Sequence, residues 1–292
     1  MTVLRIAGAQ IPCTDKLEKN IKNIKDAISW ASKNSVDFLL TPEGSLSGYY
    51  PGWDTDKSFD DIVVAEKEIV KFATDNNISL CLGTMWKEPD EVFPGGYRNE
   101  NQIRFYSKKG KLLGKTNKLY TIPEYDRTVP GPDVQNVLLE KDGNFFNAIG
   151  LICNDFWGGP LRQQMSLPLY AYEKLSSQMI FHATNGFRGM LPNYDEITDS
   201  WHEGNLRMIS FSAGIPIITV DNSCMMHGSE YEGKTSSQSG ILLNGMWLVK
   251  APRTGTQYFY HDFNYEEVTS RSLYRHPDQD IIDLDPNIRG SF

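Results

Sequence analysis

The sequence lacks the features of several protein classes. It contains no run of about 18 apolar residues, so no segment is long enough to cross a membrane as a helix. Its formal net charge is −8 and it has no run of five or more basic residues, which argues against nucleic acid or an anionic membrane as a partner. Only four cysteines occur, with no CxxC motif and no Cys/His pairs at metal-ligand spacing. We therefore expect free thiols, a reducing cytoplasmic location and no metal site.

The composition is that of a folded globular protein. Hydrophobic residues make up 40% and charged residues 23%, a balance that excludes an intrinsically disordered chain. Arg5 interrupts the short apolar stretch at the start, and no small-residue cleavage pattern follows it, so this stretch predicts a first strand rather than a signal peptide. No internal repeat and no Gly/Ser-rich linker divides the chain. We expect one domain over 1–292, in which 264–292 form a C-terminal extension.

Strand-like and helix-like segments alternate along the chain. Apolar runs typical of strands occupy 3–10, 37–44, 78–86, 147–155, 178–185 and 215–223. Helices are predicted at 16–33, 58–75, 161–176 and 196–213, and hairpins within 101–115 and 239–252. This order predicts an α/β fold with a mixed sheet.

Three reactive side chains lie where predicted strands end. Glu43 follows the run FLLTP, Lys118 follows the strand KLLGK, and Cys153 closes the run AIGLIC. Ligands of open α/β sheets bind at the carboxyl ends of the strands. Each residue also has an ordinary interpretation, because a cysteine in an apolar run is often a core residue, and Glu and Lys in turns are often solvated. Position alone therefore assigns no chemistry to the three.

The sequences around these residues carry a family resemblance. The segments TPEGSLSGYYPGW (41–53), YRNENQIRFYSKKGKLLGKTNKLY (97–120) and IGLICNDFW (149–157) resemble the glutamate, lysine and cysteine motifs of the nitrilase-type carbon–nitrogen hydrolases, in the same order. The strand end HATN (182–185), the helix and strand of 207–222 and the hairpin of 239–245 are also similar. The resemblance covers about residues 3 to 263.

This resemblance implies a fold and a mechanism. The fold would be a four-layer α-β-β-α sandwich with mixed sheets, and relatives pack two such units, so we expect a homodimer or larger assembly. Cys153 would form a thioester, Glu43 would transfer protons, and Lys118 with the backbone N–H of Asn154 would stabilise the oxyanion. Relatives often carry a second acid after the lysine; Glu124 and Asp126 are the candidates, and the distance to Pro130-Gly131 favours Glu124. No metal or organic cofactor is implied.

Departures from the family pattern bear on the substrate. Asn117 stands where an arginine is common, and Leu119-Tyr120 replace His-Leu. The string Cys153-Asn154-Asp155 is closer to the amidase and carbamoylase branches than to nitrilases. Phe156 replaces the arginine that binds a substrate carboxylate in carbamoylase-like relatives. An aromatic ring cannot make the bidentate hydrogen bonds of a guanidinium group. We expect a linear amide or N-carbamoyl small molecule as substrate, with a nitrile as the alternative.

The sequence also indicates further substrate-binding residues, and it leaves three alternative functions. The expected substrate-binding residues are Tyr49, Asn154, Phe156, Trp157, His182 and Asn185. A Cys153–His182 hydrolase is the rival enzyme, although no family-type string supports it. Acyl transfer to an acceptor other than water would use the same thioester. A catalytically silent, amidase-like binding module is the alternative from another class, and the intact Glu43, Lys118 and Cys153 argue against it.

Overall fold

The computed structural model describes residues 2–55, 58–122, 127–157, 166–186, 194–226 and 228–269. Its strands are β1 (Val3–Gln10), β2 (Phe38–Leu40), β3 (Ser79–Pro89), β4 (Tyr97–Tyr106), β5 (Leu112–Asn117), β6 (Val137–Lys141), β7 (Asn144–Ile152), β8 (Met179–Thr184), β9 (Ile217–Asp221), β10 (Gly240–Leu243), β11 (Met246–Lys250) and β12 (Gln257–Asn264). Its α-helices are α1 (Leu17–Lys33), α2 (Phe59–Asp75), α3 (Asn154–Trp157), α4 (Leu167–Glu173), α5 (Tyr194–Ala213) and α6 (Tyr265–Thr269), and a 3₁₀ turn covers Pro94–Gly96.

The strands form two six-stranded sheets with the same internal plan. Sheet one has the order β12-β1-β2-β3-β4-β5 and sheet two the order β11-β10-β9-β8-β7-β6. In sheet one the neighbours β1, β2 and β3 are parallel and the outer pairs are antiparallel. In sheet two β7, β8 and β9 are parallel and the outer pairs are again antiparallel. Both sheets are therefore mixed, as predicted.

The sheets pack face to face with helices outside them. One apolar cluster fills the space between the sheets and continues beneath α4 and α5, and a second lies between sheet one and the helices α1 and α2. Edge-to-face aromatic pairs cross the interface, with ring centroids 5.6 Å apart for Phe38–Phe146 and 5.8 Å apart for Phe105–Phe181. The layers run helix, sheet, sheet, helix, which confirms the predicted α-β-β-α sandwich.

The observed elements follow most of the predicted segments, with identifiable differences. The strand expected over 37–44 is shorter, because pairing ends at Leu40 and the chain turns at Pro42. The helix expected over 161–176 is described only as Leu167–Glu173, since 158–165 lie outside the described residues. The strands β6 and β12 were not predicted. Within the described residues, no helix is long and apolar enough to cross a membrane.

Candidate active site

Glu43 is the third residue after the end of β2, in a turn against β3. The turn approaches β3 closely because Gly83 has no side chain: a Cβ there would lie 2.0 Å from the Pro42 carbonyl oxygen and 3.2 Å from the Glu43 Cα. Gly44, with φ at 65°, then reverses the chain. The Glu43 side chain is thereby held in the interior, where it is fully buried.

Lys118 directly follows β5 and is also fully buried. Its N–H donates to the Asn101 carbonyl oxygen at 2.8 Å, and its carbonyl oxygen accepts from the Gly131 N–H at 3.0 Å. Its Nζ donates to the Glu43 Oε1 at 2.7 Å and lies 5.3 Å from the ring centroid of Tyr49. The ammonium therefore has a carboxylate and an aromatic face as neighbours, which is how a buried lysine remains charged.

Cys153 occupies a strained turn at the carboxyl end of β7. Its φ is 46°, a region that residues other than glycine rarely adopt, and such strain is found at functional sites. The turn is held because the Cys153 N–H donates to the Ala183 carbonyl at 2.9 Å and the Phe156 N–H donates to the Cys153 carbonyl at 3.0 Å. The residue is 8% exposed, so the thiol is enclosed.

The Cys153 thiol is close enough to both members of the buried ion pair for their charges to shift its pKa. Burial raises the pKa of the Cys153 thiol to about 12; the Glu43 carboxylate adds to the rise, and the Lys118 ammonium and a hydrogen bond to Thr184 oppose it. A thiol with this pKa carries almost no thiolate at neutral pH. A nucleophilic role for Cys153 would require a base that removes its proton, and the Glu43 carboxylate is close enough to influence its pKa.

Asp155 is a member of the site that the residue-by-residue predictions missed. Its buried carboxylate accepts hydrogen bonds from the N–H groups of Leu119 (2.9 Å), Tyr120 (2.8 Å) and Ile152 (3.1 Å). Burial raises the pKa of Asp155 to about 6 against the effect of these donors. The carboxylate joins the residues next to Lys118 to the residue before Cys153. Its sequence signal was the aspartate of the nucleophile motif.

Two asparagines bind Glu43 and a third binds one of them, and only Asn185 was predicted. The Asn101 Nδ2 donates to the Glu43 Oε1 at 2.7 Å. The Asn185 Nδ2 donates to the Glu43 carbonyl oxygen at 3.2 Å, and its Oδ1 accepts from the Asn222 Nδ2 at 2.7 Å. Asn185 was expected to contact substrate; the structure places it beside Glu43, while substrate contact stays a prediction. Asn101 and Asn222 lie within the resembling segments 97–120 and 207–222, but neither was singled out as a site residue.

The other expected pocket residues form an aromatic cluster next to Cys153. Ring centroids lie 4.6 Å apart for Phe156–His182, 4.9 Å for Trp157–His182 and 4.6 Å for Trp157–His202. Phe156 and His182 are fully buried, whereas Trp157 retains 7% exposure. Together with Tyr49 beside Lys118 and Asn154 beside Cys153, all the described candidates border Glu43, Lys118 or Cys153. Their contact with substrate stays a prediction.

The geometry does not favour the rival Cys153–His182 dyad. Burial lowers the pKa of His182 to about 3, and its Nδ1 lies 2.9 Å from the Thr219 Oγ1. The Cys153 thiol is influenced most by burial and by Glu43, Lys118, Thr184 and Asp221, whereas His182 bonds to the Cys153 backbone. A ring this weakly basic, which lies on β8 and bonds to Thr219 of β9, is poorly suited to accept the thiol proton.

Two further predictions concern the second acid and metals. Glu124 and Asp126 both lie outside the described residues, so the choice between them stays a prediction. Across the part of the chain that the structure describes, no group of three or more His, Cys, Asp or Glu side chains could hold a metal ion. All four cysteines are free.

Comparisons with known proteins agree with this arrangement. Among solved structures, the amidase of Nesterenkonia sp. AN1 is similar in three forms. A cysteine-to-alanine variant bound to butyramide has a TM-score of 0.67 at 20% identity, covering 92% of this chain and 94% of that chain. A glutamate-to-leucine variant, carrying the acetamide moiety of fluoroacetamide on its active-site cysteine, has a TM-score of 0.67 at 19% identity, covering 96% and 97%. The enzyme after removal of its tag has a TM-score of 0.66 at 20% identity, covering 96% and 100%.

These structural likenesses, at 19–20% identity, establish the shared fold. No curated protein matches the sequence. The family model described as carbon-nitrogen hydrolase matches residues 5–271, which include Glu43, Lys118 and Cys153 together with both sheets. Since this match covers nearly the whole chain, the protein belongs to the carbon–nitrogen hydrolase family.

Proposed function

We propose that this protein hydrolyses a small linear amide or N-carbamoyl compound through a thioester on Cys153. The observation that carries the proposal is the fully buried Glu43–Lys118 pair, with Nζ and Oε1 2.7 Å apart, beside a cysteine in a strained turn. A buried pair of this kind is a weak source of stability, because desolvation offsets most of the attraction. Its presence next to an enclosed thiol is therefore better explained by catalysis.

In the first half-reaction Glu43 takes the thiol proton while the Cys153 Sγ attacks the amide carbon. The carbonyl π electrons move to oxygen, which becomes an oxyanion. When the tetrahedral intermediate collapses, the C–N bond breaks and Glu43 returns the proton to the nitrogen, so that ammonia or an amine leaves. The products of this step are a neutral leaving group and an acyl group on sulfur.

In the second half-reaction water replaces the leaving group. Glu43 takes a proton from water, the hydroxide attacks the thioester carbon, and the C–S bond breaks. The proton returns to the Cys153 sulfur, which restores the starting enzyme and releases a carboxylic acid. The same glutamate thus serves both steps, and no redox chemistry is involved.

The developing oxyanion has two donors in this proposal. One is the Lys118 ammonium, which the Glu43 carboxylate holds in place. The other is the Asn154 N–H, which donates no hydrogen bond to any described residue and lies at the start of α3. Each such donor typically lowers the barrier by roughly 3–4 kcal/mol.

The class of substrate is supported by the surroundings of the site. Phe156 and Trp157 supply apolar surface next to Cys153. Phe156 stands where carbamoylase-like relatives carry an arginine that binds a substrate carboxylate. The similar Nesterenkonia amidase is seen with butyramide and with an acetamide moiety on its active-site cysteine. Short uncharged acyl groups fit such surroundings better than charged ones.

The test is a substrate panel of short amides, N-carbamoyl compounds and nitriles, with ammonia and acid measured as products. We expect amide or carbamoyl hydrolysis by wild type, loss of it in Cys153→Ala, and a thioester on Cys153 by mass spectrometry. Cys81→Ala is the matched control. Cys81 is also a buried cysteine, but it lies within β3 in the apolar core and outside the site. Equal rates in wild type and Cys153→Ala would refute the proposal. Added hydroxylamine separates acyl transfer from hydrolysis, and acid released only from nitriles would identify a nitrilase.

We also propose a homodimer that uses the outer face of α5. Four large apolar side chains on this helix are solvent-exposed, and Met246 extends the surface from the neighbouring hairpin: Ile197, Trp201, Met208, Phe211 and Met246. A row of exposed apolar side chains along one helix face is typical of a protein interface. A second copy of the same helix, related by two-fold symmetry, would bury it.

Changing Met208 and Phe211 together to glutamate should convert the dimer to a monomer, measured by light scattering after size-exclusion chromatography. Val64→Glu, on the exposed face of α2, is the control and should leave the mass unchanged. A monomeric wild type would refute this part of the proposal. A reducing cytoplasmic location is also proposed, and is supported by the four free cysteines; a disulfide in the native protein would contradict it.

A further inference from the structure

Asn101, on β4, is bound to both members of the buried ion pair. Its side-chain Nδ2 donates to the Glu43 Oε1 at 2.7 Å, and its backbone carbonyl accepts from the Lys118 N–H at 2.8 Å. The residue is fully buried. The orientation of its amide follows from chemistry, since a carboxylate oxygen is an acceptor and only the NH₂ end of the amide can donate to it.

The contact is made to the same oxygen that binds the lysine. The Glu43 Oε1 accepts from the Asn101 Nδ2 and from the Lys118 Nζ, each at 2.7 Å. Two donors on one oxygen reduce its basicity relative to the other oxygen of the carboxylate. The proton exchanged with sulfur, nitrogen and water in the proposed cycle is therefore expected on Oε2.

The other end of the Asn101 amide argues against a purely structural role. The Asn101 Oδ1 is buried and has no hydrogen-bond partner among the described residues. Buried amides that serve only packing are normally satisfied at both ends, and exceptions in native structures require an explanation. The explanation offered by this geometry is that the amide is positioned for Glu43.

We infer that Asn101 is a positioning residue that holds Glu43 ionised and fixes which of its oxygens exchanges the proton. The inference deepens the proposed function and rests on it. As the oxyanion forms, the Lys118 ammonium must serve a second acceptor, and its bond to Oε1 weakens. Asn101 is a neutral donor with no second role, so its bond to Oε1 persists through the step and keeps the carboxylate oriented.

The test compares Asn101→Ala and Asn101→Asp with the same changes at Asn99. Asn99 is a matched control, because it lies two residues earlier on β4 and its backbone carbonyl accepts from the Val129 N–H at 2.9 Å. Its side chain, however, binds the Arg127 carbonyl at 3.4 Å rather than Glu43. The readouts are the pH profile of kcat/KM for butyramide and separate values of kcat and KM.

We expect the acidic limb of the profile to move to higher pH by about one unit in Asn101→Ala. The move should be larger in Asn101→Asp, in which two carboxyl groups would share a proton. At the pH optimum kcat should fall by up to about a hundredfold, with KM changed by less than about threefold, because the orientation of the base is affected more than binding. Both Asn99 variants should retain the wild-type limb.

An unmoved limb in folded Asn101 variants, or an equal move in the Asn99 variants, would overturn the inference. Unfolding of both Asn101 variants while the Asn99 variants fold would assign Asn101 a structural role and overturn it equally. If wild type hydrolyses no amide, the proposed function fails separately. The inference is then decided by carbon-13 NMR of the Glu43 carboxyl group, assigned with Glu43→Gln, whose titration midpoint must move to higher pH in Asn101→Ala.

Discussion

Replacing Glu43 by glutamine should separate the reactivity of the Cys153 thiol from its ability to cleave amides. In the wild type, burial and the Glu43 carboxylate raise the pKa of Cys153 from its ordinary 9.0 to about 12, while Lys118 opposes the rise. Three units correspond to about a thousandfold less thiolate at neutral pH. In the proposed mechanism, amide attack therefore depends on proton removal by Glu43 during the reaction.

The variant keeps the burial and the lysine but loses the negative charge. The pKa of Cys153 should therefore be lower in Glu43→Gln than in wild type, because the contribution of Lys118 is no longer offset by a carboxylate. Iodoacetamide needs only a thiolate and no leaving-group proton, so its alkylation of Cys153 should be retained or accelerated. Amide hydrolysis needs proton transfer to nitrogen and should fall by about 10²–10⁴-fold.

The assay measures both rates between pH 6 and 10, with alkylation followed by mass spectrometry of the Cys153 peptide. Glu66→Gln is the control, because Glu66 is a buried carboxylate paired with Arg104 at 2.6 Å on the other side of sheet one. Parallel loss of alkylation and hydrolysis in Glu43→Gln would refute this reasoning about the thiol. Near-wild-type amide hydrolysis would refute the role of Glu43 and revive the cysteine–histidine alternative.

Three further predictions concern stability. Lys118→Met should lower the free energy of unfolding by about 3–5 kcal/mol in denaturant titrations, because it leaves Glu43 charged and buried. The double variant with Glu43→Gln should lose less free energy of unfolding than Lys118→Met alone. The folded state raises the pKa of Asp155 from 3.8 to about 6, so the folded protein binds the extra proton in this window. The unfolding free energy should therefore fall as the pH rises from 4 to 6, by about 2 kcal/mol from this group, and Asp155→Asn should abolish that part. Gly150→Ala should lower the melting temperature, because its Cβ would lie 2.1 Å from the Thr116 Oγ1 between the sheets.

The elements that could be predicted are those whose signals are local. The runs for β1, β7 and β8 are largely apolar because parallel strands inside a sheet are covered on both faces. β12 is an edge strand of mixed polar and aromatic residues whose burial does not alternate, so no period identifies it. It becomes a strand because it pairs antiparallel with β1 over its whole length, from Val3↔Asn264 to Gln10↔Gln257, and such pairing is not local.

The same distinction applies to the site. Glu43, Lys118 and Cys153 are recognisable because each lies in a short string typical of the family. Asn101 contacts Glu43 only through the register of β4 on β3, in which Met85 pairs with Asn101, and through the return of the chain at Lys118. A single sequence carries no information on that register, so the residue that contacts both members of the pair was not predicted.

The division of the site between the two sheets explains why it needs the whole sandwich. Glu43 and Lys118 extend from sheet one, whereas Cys153 extends from sheet two, so no single sheet contains both the proposed base and the proposed nucleophile. Asp155, after β7, binds the backbone that follows Lys118, and Asn185, after β8, binds the Glu43 carbonyl. These hydrogen bonds cross between the sheets at the site itself. A change that shifts one sheet against the other must therefore alter the distance between acid and sulfur, and packing between the sheets is in this sense part of the catalytic apparatus.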